Sequence, residues 1–353
     1  MGKKEDSPDL GAGLGTPGKT AKAIPYGVGL DVGTMNLVAA RRTKDGVETT
    51  RMRDVFLDLE PEAKKMLKLT GVNFIENEDG IIIVGDAALD TANVFGREAR
   101  RPLSQGLIAP GELDALEVLG VLVKNVLGEP REEDEVCYYS VPAAPVDADR
   151  DIVYHQGVFA RIVEECGYDP YPGNEAMAII YNETADEQFS GLAISFGAGM
   201  CNIALAINGL EGMSFAVSRG GDWIDAGAAK AVGSTQARMC SLKERGLNLL
   251  DPKGRDQEAL ALYYRELITY CIKHIKEQFG LIRDKFSVPR PIPLVISGGT
   301  AMAEGFEEFF GKVFDKKRKR FPFEISEVRM ASDLLNAPSR GLLIQAMQEM
   351  EED

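Results

Sequence analysis

The chain is poor in the residues that build metal and redox centres. Its 353 residues include two histidines, His155 and His274, and five cysteines, at 137, 166, 201, 240 and 271, none of them in a CxxC pair. Scattered thiols in odd number exclude a disulfide framework, and two histidines do not suit a zinc site. No stretch approaches the ~18 apolar residues of a membrane span. The start, MGKKEDSPDLGAGLGTPGKT, lacks the apolar core of a secretory signal. Basic residues are the scarcer charge: 40 Lys and Arg against 55 Asp and Glu give a net charge of -15. That sign opposes general binding to nucleic-acid phosphates. A cytoplasmic protein without a membrane anchor is expected.

What is present is a sizeable apolar fraction, 44%. It suffices for one large unit or two domains. Residues 1–24 are polar, rich in Gly and Pro and without periodicity, which reads as a flexible tail. Gly13 to Thr20 in that tail fits the G-x-x-x-x-G-K-[ST] phosphate loop letter for letter. Such a loop needs a buried strand before it and a helix after it. GKKEDSPDL is no strand and Pro25 blocks the helix, so the match is set aside.

Order is expected from Tyr26. YGVGLDVG and LVAARR read as a hairpin around Gly33–Asn36, and VETTRMRDVFLDL as a further strand. PEAKKMLKL and DAALDTANVFG read as helices around the strand GIIIVG. PGELDALEVLGVLVKNVLG reads as a long helix, with Leu113, Leu116, Leu119, Val123 and Leu127 at helical spacing. EVCYYSVP is a strand, VDADRDIVYHQGVFARIVEECG an amphipathic helix and NEAMAIIYN a short apolar one. Three strands follow (GLAISFGAG, CNIALAING, MSFAVSRGG), then helices at DWIDAGAAKAV, TQARMCSLKERG and about 256–286. PLVISGG is a buried strand leading into AEGFEEFFGKVF, and EISEVRM and SRGLLIQAMQEM close the sequence. Strand hairpins alternate with long helices, twice over. The fold class is α/β with two related halves, not an open parallel sheet.

Four glycine turns stand at strand ends: Asp31-Val-Gly33-Thr34-Met35-Asn36, Ser195-Phe-Gly197-Ala198-Gly199-Met200, Gly220-Gly221-Asp222 and Ser297-Gly298-Gly299-Thr300-Ala-Met302. Glycine lets backbone N–H groups approach a phosphate closely. One such turn means little, but two facing turns from two related halves make a phosphate clamp. Taken singly, Asp31 reads as a turn residue or a magnesium ligand, and Glu175 as a helix cap or an acid. His155 reads as a hydrogen-bonded core histidine, and Trp223 as core packing. Lys316–Arg320 reads as a solvated loop after a helix or as a filament or partner contact.

In this order the motifs resemble the actin-like ATPase superfamily, nearest in pattern to MreB- and MamK-type proteins. NEAMAIIYN stands where that family has an acidic helix, with Glu175 at the acid. SRGGDWID, MCSLKERGLNL and RPLSQGLIAPGEL have counterparts there too, and ISGGTAMAEGF resembles the adenosine motif. The resemblance spans about 26–350. It implies two lobes of duplicated mixed-sheet domains with ATP (or GTP) and Mg²⁺ in the cleft between them. It implies a tail at 1–24 and a first-lobe core from 25–50, 101–188 and 334–353. The second-lobe core would comprise 189–222 and 291–333, with small subdomains at 51–100 and 223–290.

The resemblance further implies that Asp31 holds the metal through water and that Glu175 activates or places a water. Gly33–Asn36 and Gly197–Met200 would hold phosphates, joined by Gly220, Gly221 and Asp222. Lys243, Glu244, Gly298, Gly299, Thr300 and Met302 would flank the nucleoside. Ser195 departs from the pattern, which has Asp there. Met200 replaces a small hydroxyl residue. Slow hydrolysis is the expected result. The partner expected is the chain itself, in a filament, with other cytoskeletal or scaffold proteins as further candidates; a non-polymerising adaptor is the alternative. A chaperone would need a peptide-binding region beyond the ATPase, and a sugar kinase a substrate acid and a longer chain.

Overall fold

A computed structural model describes residues 26–72, 74–76 and 80–352. The expected tail and its phosphate-loop match lie outside the described residues. Strands β1 (Val28–Val32), β2 (Asn36–Thr43) and β3 (Gly46–Arg53) form an antiparallel meander. A smaller sheet follows, from β4 (Phe56–Leu59), β5 (Phe74–Glu76) and β6 (Ile81–Val84), with helices α1 (Lys64–Thr70) and α2 (Asp86–Phe95). The short hairpin of β7 (Leu103–Ser104) and β8 (Leu107–Ile108) leads to α3 (Ala115–Leu127). Then come β9 (Val136–Val141), α4 (Val153–Glu165), β10 (Asp169–Asn174) and α5 (Glu175–Glu183).

The second half opens with another meander: β11 (Gly191–Phe196), β12 (Cys201–Ile207) and β13 (Leu210–Val217). Helices α6 (Gly221–Val232), α7 (Gln236–Gly246) and α8 (Gly254–Ile282) precede β14 (Ile292–Ser297), α9 (Phe306–Arg318), β15 (Ile325–Met330) and α10 (Ala337–Glu352).

The two large sheets are built alike. Their orders are β10-β9-β1-β2-β3 and β15-β14-β11-β12-β13. In each, two parallel strands extend a meander beside its first strand. The central strands are near-continuous apolar runs because helices cover both faces; β11 and β14 are buried throughout. One core packs α3 and α4 on the first sheet, and another packs α6, α8 and α9 on the second.

A third apolar cluster joins the halves. Ala176, Met177, Ile179 and Ile180 of α5 pack with Ala193 and Ala204 of the second sheet and with Ala337 of α10. Helix α10 in turn lies on β1, where a Cβ at Gly29 would stand 2.0 Å from the Ser339 carbonyl oxygen. At the crossing of α5 and α10, a Cβ at Gly341 would stand 1.8 Å from the Ala178 carbonyl oxygen. Only glycine permits that approach.

Several expectations change. VETTRMRDVFLDL is two strands in different sheets, broken at Asp54, whose N–H donates to the Met35 carbonyl at 3.0 Å. Helix α3 starts after Leu113, which is 96% exposed. Helix α4 starts at Val153, after a loop anchored by the Asp151 carboxylate on the Val153 N–H. Lys316–Arg318 belong to the last turn of α9, where cations suit the helix dipole. His155 is buried against Phe159, yet neither ring nitrogen has a hydrogen-bond partner among the described residues. Burial lowers its pKa to about 4, so it packs as a neutral ring.

Gly341→Ala should cost about 3 kcal/mol, since its methyl meets backbone and the crossing must widen. Gly311→Ala, in α9 with open space around it, should instead stabilise by about 0.5–1 kcal/mol. Urea unfolding midpoints check both.

Candidate functional site

The strand ends that carry the glycine turns converge between the two halves. They line a cleft of about 580 Å³, within the roughly 300–1,000 Å³ usual for small-molecule sites. Asp31, Gly33, Thr34, Met35 and Asn36 line it from the first half. Glu175, Ser195, Gly197, Ala198, Gly199, Met200, Lys243, Glu244, Gly298, Gly299, Thr300 and Met302 complete the set expected from sequence. Gly220, Gly221 and Asp222 do not line it.

The β1–β2 and β11–β12 hairpins have the same construction. Gly33 N–H donates to the Asn36 carbonyl at 3.0 Å, and Gly197 N–H to the Met200 carbonyl at 3.0 Å. A Cβ on Gly33 or on Gly197 would come within 2.8 Å of the same carbonyl oxygen. The hairpins also touch: a Cβ at Gly199 would lie 2.6 Å from the Thr34 hydroxyl oxygen and 2.4 Å from the Gly106 nitrogen. Gly106, at the β7–β8 turn, donates its N–H to that Thr34 hydroxyl at 3.1 Å.

Gly220–Asp222 sit behind the second hairpin. The N–H groups of Gly221 and Asp222 donate to the carbonyls of Gly197 (2.9 Å) and Ala198 (2.8 Å). The start of α6 therefore braces the hairpin instead of presenting donors to the cleft. The Asp222 carboxylate turns away to Arg101, in a second cavity of about 620 Å³.

Two carboxylates stand at the centre. Asp31 accepts a hydrogen bond from the Ser140 hydroxyl at 3.0 Å, and Ser140 accepts from the Val32 N–H at 2.7 Å. Glu175 is the first residue of α5, capped by the Asn174 side chain. Asn202 Nδ2 donates to Glu175 Oε2 at 2.7 Å, while Asn202 Oδ1 accepts from the Ala143 N–H at 3.3 Å. Burial, then the like charge of Glu175, push the Asp31 carboxyl well above its usual range, against the bond from Ser140. Burial also raises Glu175, against hydrogen bonds from Ser195 and Asn202. Ser195 thus serves Glu175.

Ser140 and Asn202 were missed by sequence reasoning. Asn202 pairs directly with Ser195 across the hairpin, so the turn at Gly197–Met200 already implied its place. Ser140 had only its position near a strand end.

On the far wall, Thr300 Oγ1 donates to the Gly197 carbonyl at 2.8 Å, and Gly298 adopts φ 96°. Lys243 is committed to Asp225 at 2.6 Å. Glu244 lies 3.8 Å from Arg53, an ion pair spanning the cleft. Among the described residues, no group of three or more His, Cys, Asp or Glu is placed to hold a metal ion, and no helix is long and apolar enough to cross a membrane.

The chain belongs to the volactin family, whose profile matches residues 27–346. No curated protein matches significantly. Its fold is that of the actin-like superfamily. The subunit of a MamK double helical filament superposes with a TM-score of 0.68, at 18% identity over 91% of this chain and 98% of that one. MreB5 of Spiroplasma citri bound to AMPPNP gives 0.61 at 16% identity, covering 94% and 99%. EutJ, an ethanolamine utilization protein from Carboxydothermus hydrogenoformans, gives 0.53 at 15% identity, covering 90% of each.

The raised Asp31 carboxyl has a stability consequence. The folded state holds that proton more tightly than the unfolded chain does, so ionisation at neutral pH works against folding. Without ligand, Asp31→Asn should raise the melting temperature at pH 7 by about 2 °C. The gain should shrink as pH falls towards the ordinary aspartate value of 3.8. Melting curves of both proteins across pH check the sign.

Proposed function

We propose that this protein binds Mg-ATP in the interlobe cleft, hydrolyses it slowly and assembles with copies of itself. The observation that carries the reading is the pair of identically built hairpins, Gly33–Asn36 and Gly197–Met200, facing each other beside Asp31 and Glu175. The solved relatives add support: one was determined with AMPPNP and another as a filament.

The residues fit a magnesium ion. Magnesium commonly uses one or two carboxylates and keeps waters and phosphate oxygens as its other ligands. Asp31 and Glu175 are raised by burial, and their hydrogen-bond donors in the site are neutral: Ser140, Ser195 and Asn202. A cation relieves that repulsion. When bound, it neutralises charge on the phosphates. Asp31 would hold it through water.

Backbone N–H groups of the two hairpins would carry the phosphates. Glu175, held by Asn202, would orient the attacking water and take its proton as the bond from the γ-phosphorus to the leaving nucleoside diphosphate breaks. Gly298, Gly299, Thr300 and Met302 would flank the nucleoside with Glu244. Lys243 would act through its pair with Asp225, which fixes α7 against α6. Ser195 gives a neutral hydroxyl where the resembling proteins have Asp, and that hydroxyl is engaged with Glu175. Ordinary affinity with slow turnover follows, because a misplaced group can cost about a hundredfold.

Mg-ATP at about 100 times its dissociation constant should stabilise the protein by about 2.7 kcal/mol. Asp31→Ala should lose most of that shift. Under the same conditions the wild type should sediment as polymer, because identical head-to-tail contacts that do not close form open filaments. Absence of any shift would refute the nucleotide site. A shift without polymer would favour the adaptor reading.

A further inference from the structure

Arg101 lies outside the cleft but behind both hairpins. Its Nη1 donates to Asp222 Oδ2 at 2.9 Å and its Nη2 to Asp222 Oδ1 at 3.1 Å. This two-pronged pair joins the β7 approach in the first half to the start of α6 in the second. Asp222 is itself fixed to the back of the second hairpin, through its N–H on the Ala198 carbonyl.

Asp54 stands on the other side. Its N–H donates to the Met35 carbonyl, which fixes it to the back of the first hairpin. Asp54 is fully buried, and neither carboxylate oxygen has a hydrogen-bond partner among the described residues. Burial raises its carboxyl well above the usual range, and the charge of Arg101 pulls it back. A buried carboxylate left unpaired is costly and calls for an explanation. The Arg101 charge acts on it, but the guanidinium is bonded to the other lobe.

We propose that Arg101 is a two-position latch: seated on Asp222 it holds the two hairpins together, and seated on Asp54 it lets them part. A residue biases an equilibrium only through contacts that differ between its states. Asp222 supplies the contact of the closed state. Asp54 supplies that of the open state, within the first half alone. Arg101 is thus a positioning residue for the cleft. Resting on the reading of the cleft as a nucleotide site, the latch also sets how fast nucleotide leaves.

The two carboxylates then act with opposite signs. Asp222→Asn removes the closed seat and should speed release of a fluorescent ATP analogue by about tenfold, a mid-range coupling for paired charges. Asp54→Asn removes the open seat and should slow release several-fold. Arg101→Met removes both seats, so its release should fall between wild type and Asp222→Asn, and in its background neither carboxylate substitution should matter. Arg101→Lys, which keeps the charge without the fork, should restore part of the effect. Small-angle scattering of the nucleotide-free proteins gives a readout that needs no ligand: Asp222→Asn should be more open than wild type and Asp54→Asn more closed. If the wild type binds no analogue, the nucleotide reading fails and scattering alone decides the latch. The latch is overturned if both carboxylate substitutions move release or opening in the same direction, as loss of mere packing would. It is equally overturned if their effects persist in the Arg101→Met background.

Discussion

The close crossing of α5 and α10 is the constraint on which the site depends. Each helix follows the parallel strands of one half and packs towards the other. Gly341 against Ala178 lets α10 cross α5 closely, and Gly29 against Ser339 lets α10 lie close on β1. The crossing brings the two sheets together at the ends of β1 and β11, where the hairpins begin. Glu175, at the start of α5, is carried into contact with Asn202 of the second sheet. A carboxylate from one half is therefore held by an amide from the other.

That arrangement makes the cleft an electrostatic compromise. Asp31 and Glu175 are both raised by burial, and each is met by neutral hydrogen-bond donors of its own. Sites that concentrate like charge lose stability in exchange for binding. Behind the hairpins the charges are opposed instead: Arg101 meets Asp222, and Lys243 meets Asp225. The walls of the cleft are thus held by ion pairs, while its floor holds two carboxylates met by neutral donors.

Much of this was legible in the sequence. Gly33 and Gly197 could be recognised because a tight hairpin at a strand end tolerates nothing larger, and that need leaves its mark within six residues. That the chain has two related α/β halves followed from the alternation of strand hairpins and long helices. Less visible were residues that act across strands. Asn202 and Ser140 look like ordinary strand positions until pairing places them beside a carboxylate. Gly220–Asp222 looked like a phosphate turn, but their N–H groups are engaged with hairpin carbonyls. The break at Asp54 was hidden because the strand pattern continues through it while the chain passes between sheets. Leu113 fitted the helical period, yet the helix begins beyond it.

The central claim is that phosphates lie between the two hairpins, and a crystal structure with Mg²⁺ and AMPPNP tests it most directly. The account predicts the phosphates within hydrogen-bond reach of backbone N–H groups in Gly33–Asn36 and Gly197–Met200, with a metal ion on the Asp31 side. Nucleotide bound at another place, or a cleft left empty at saturating ligand, would contradict it.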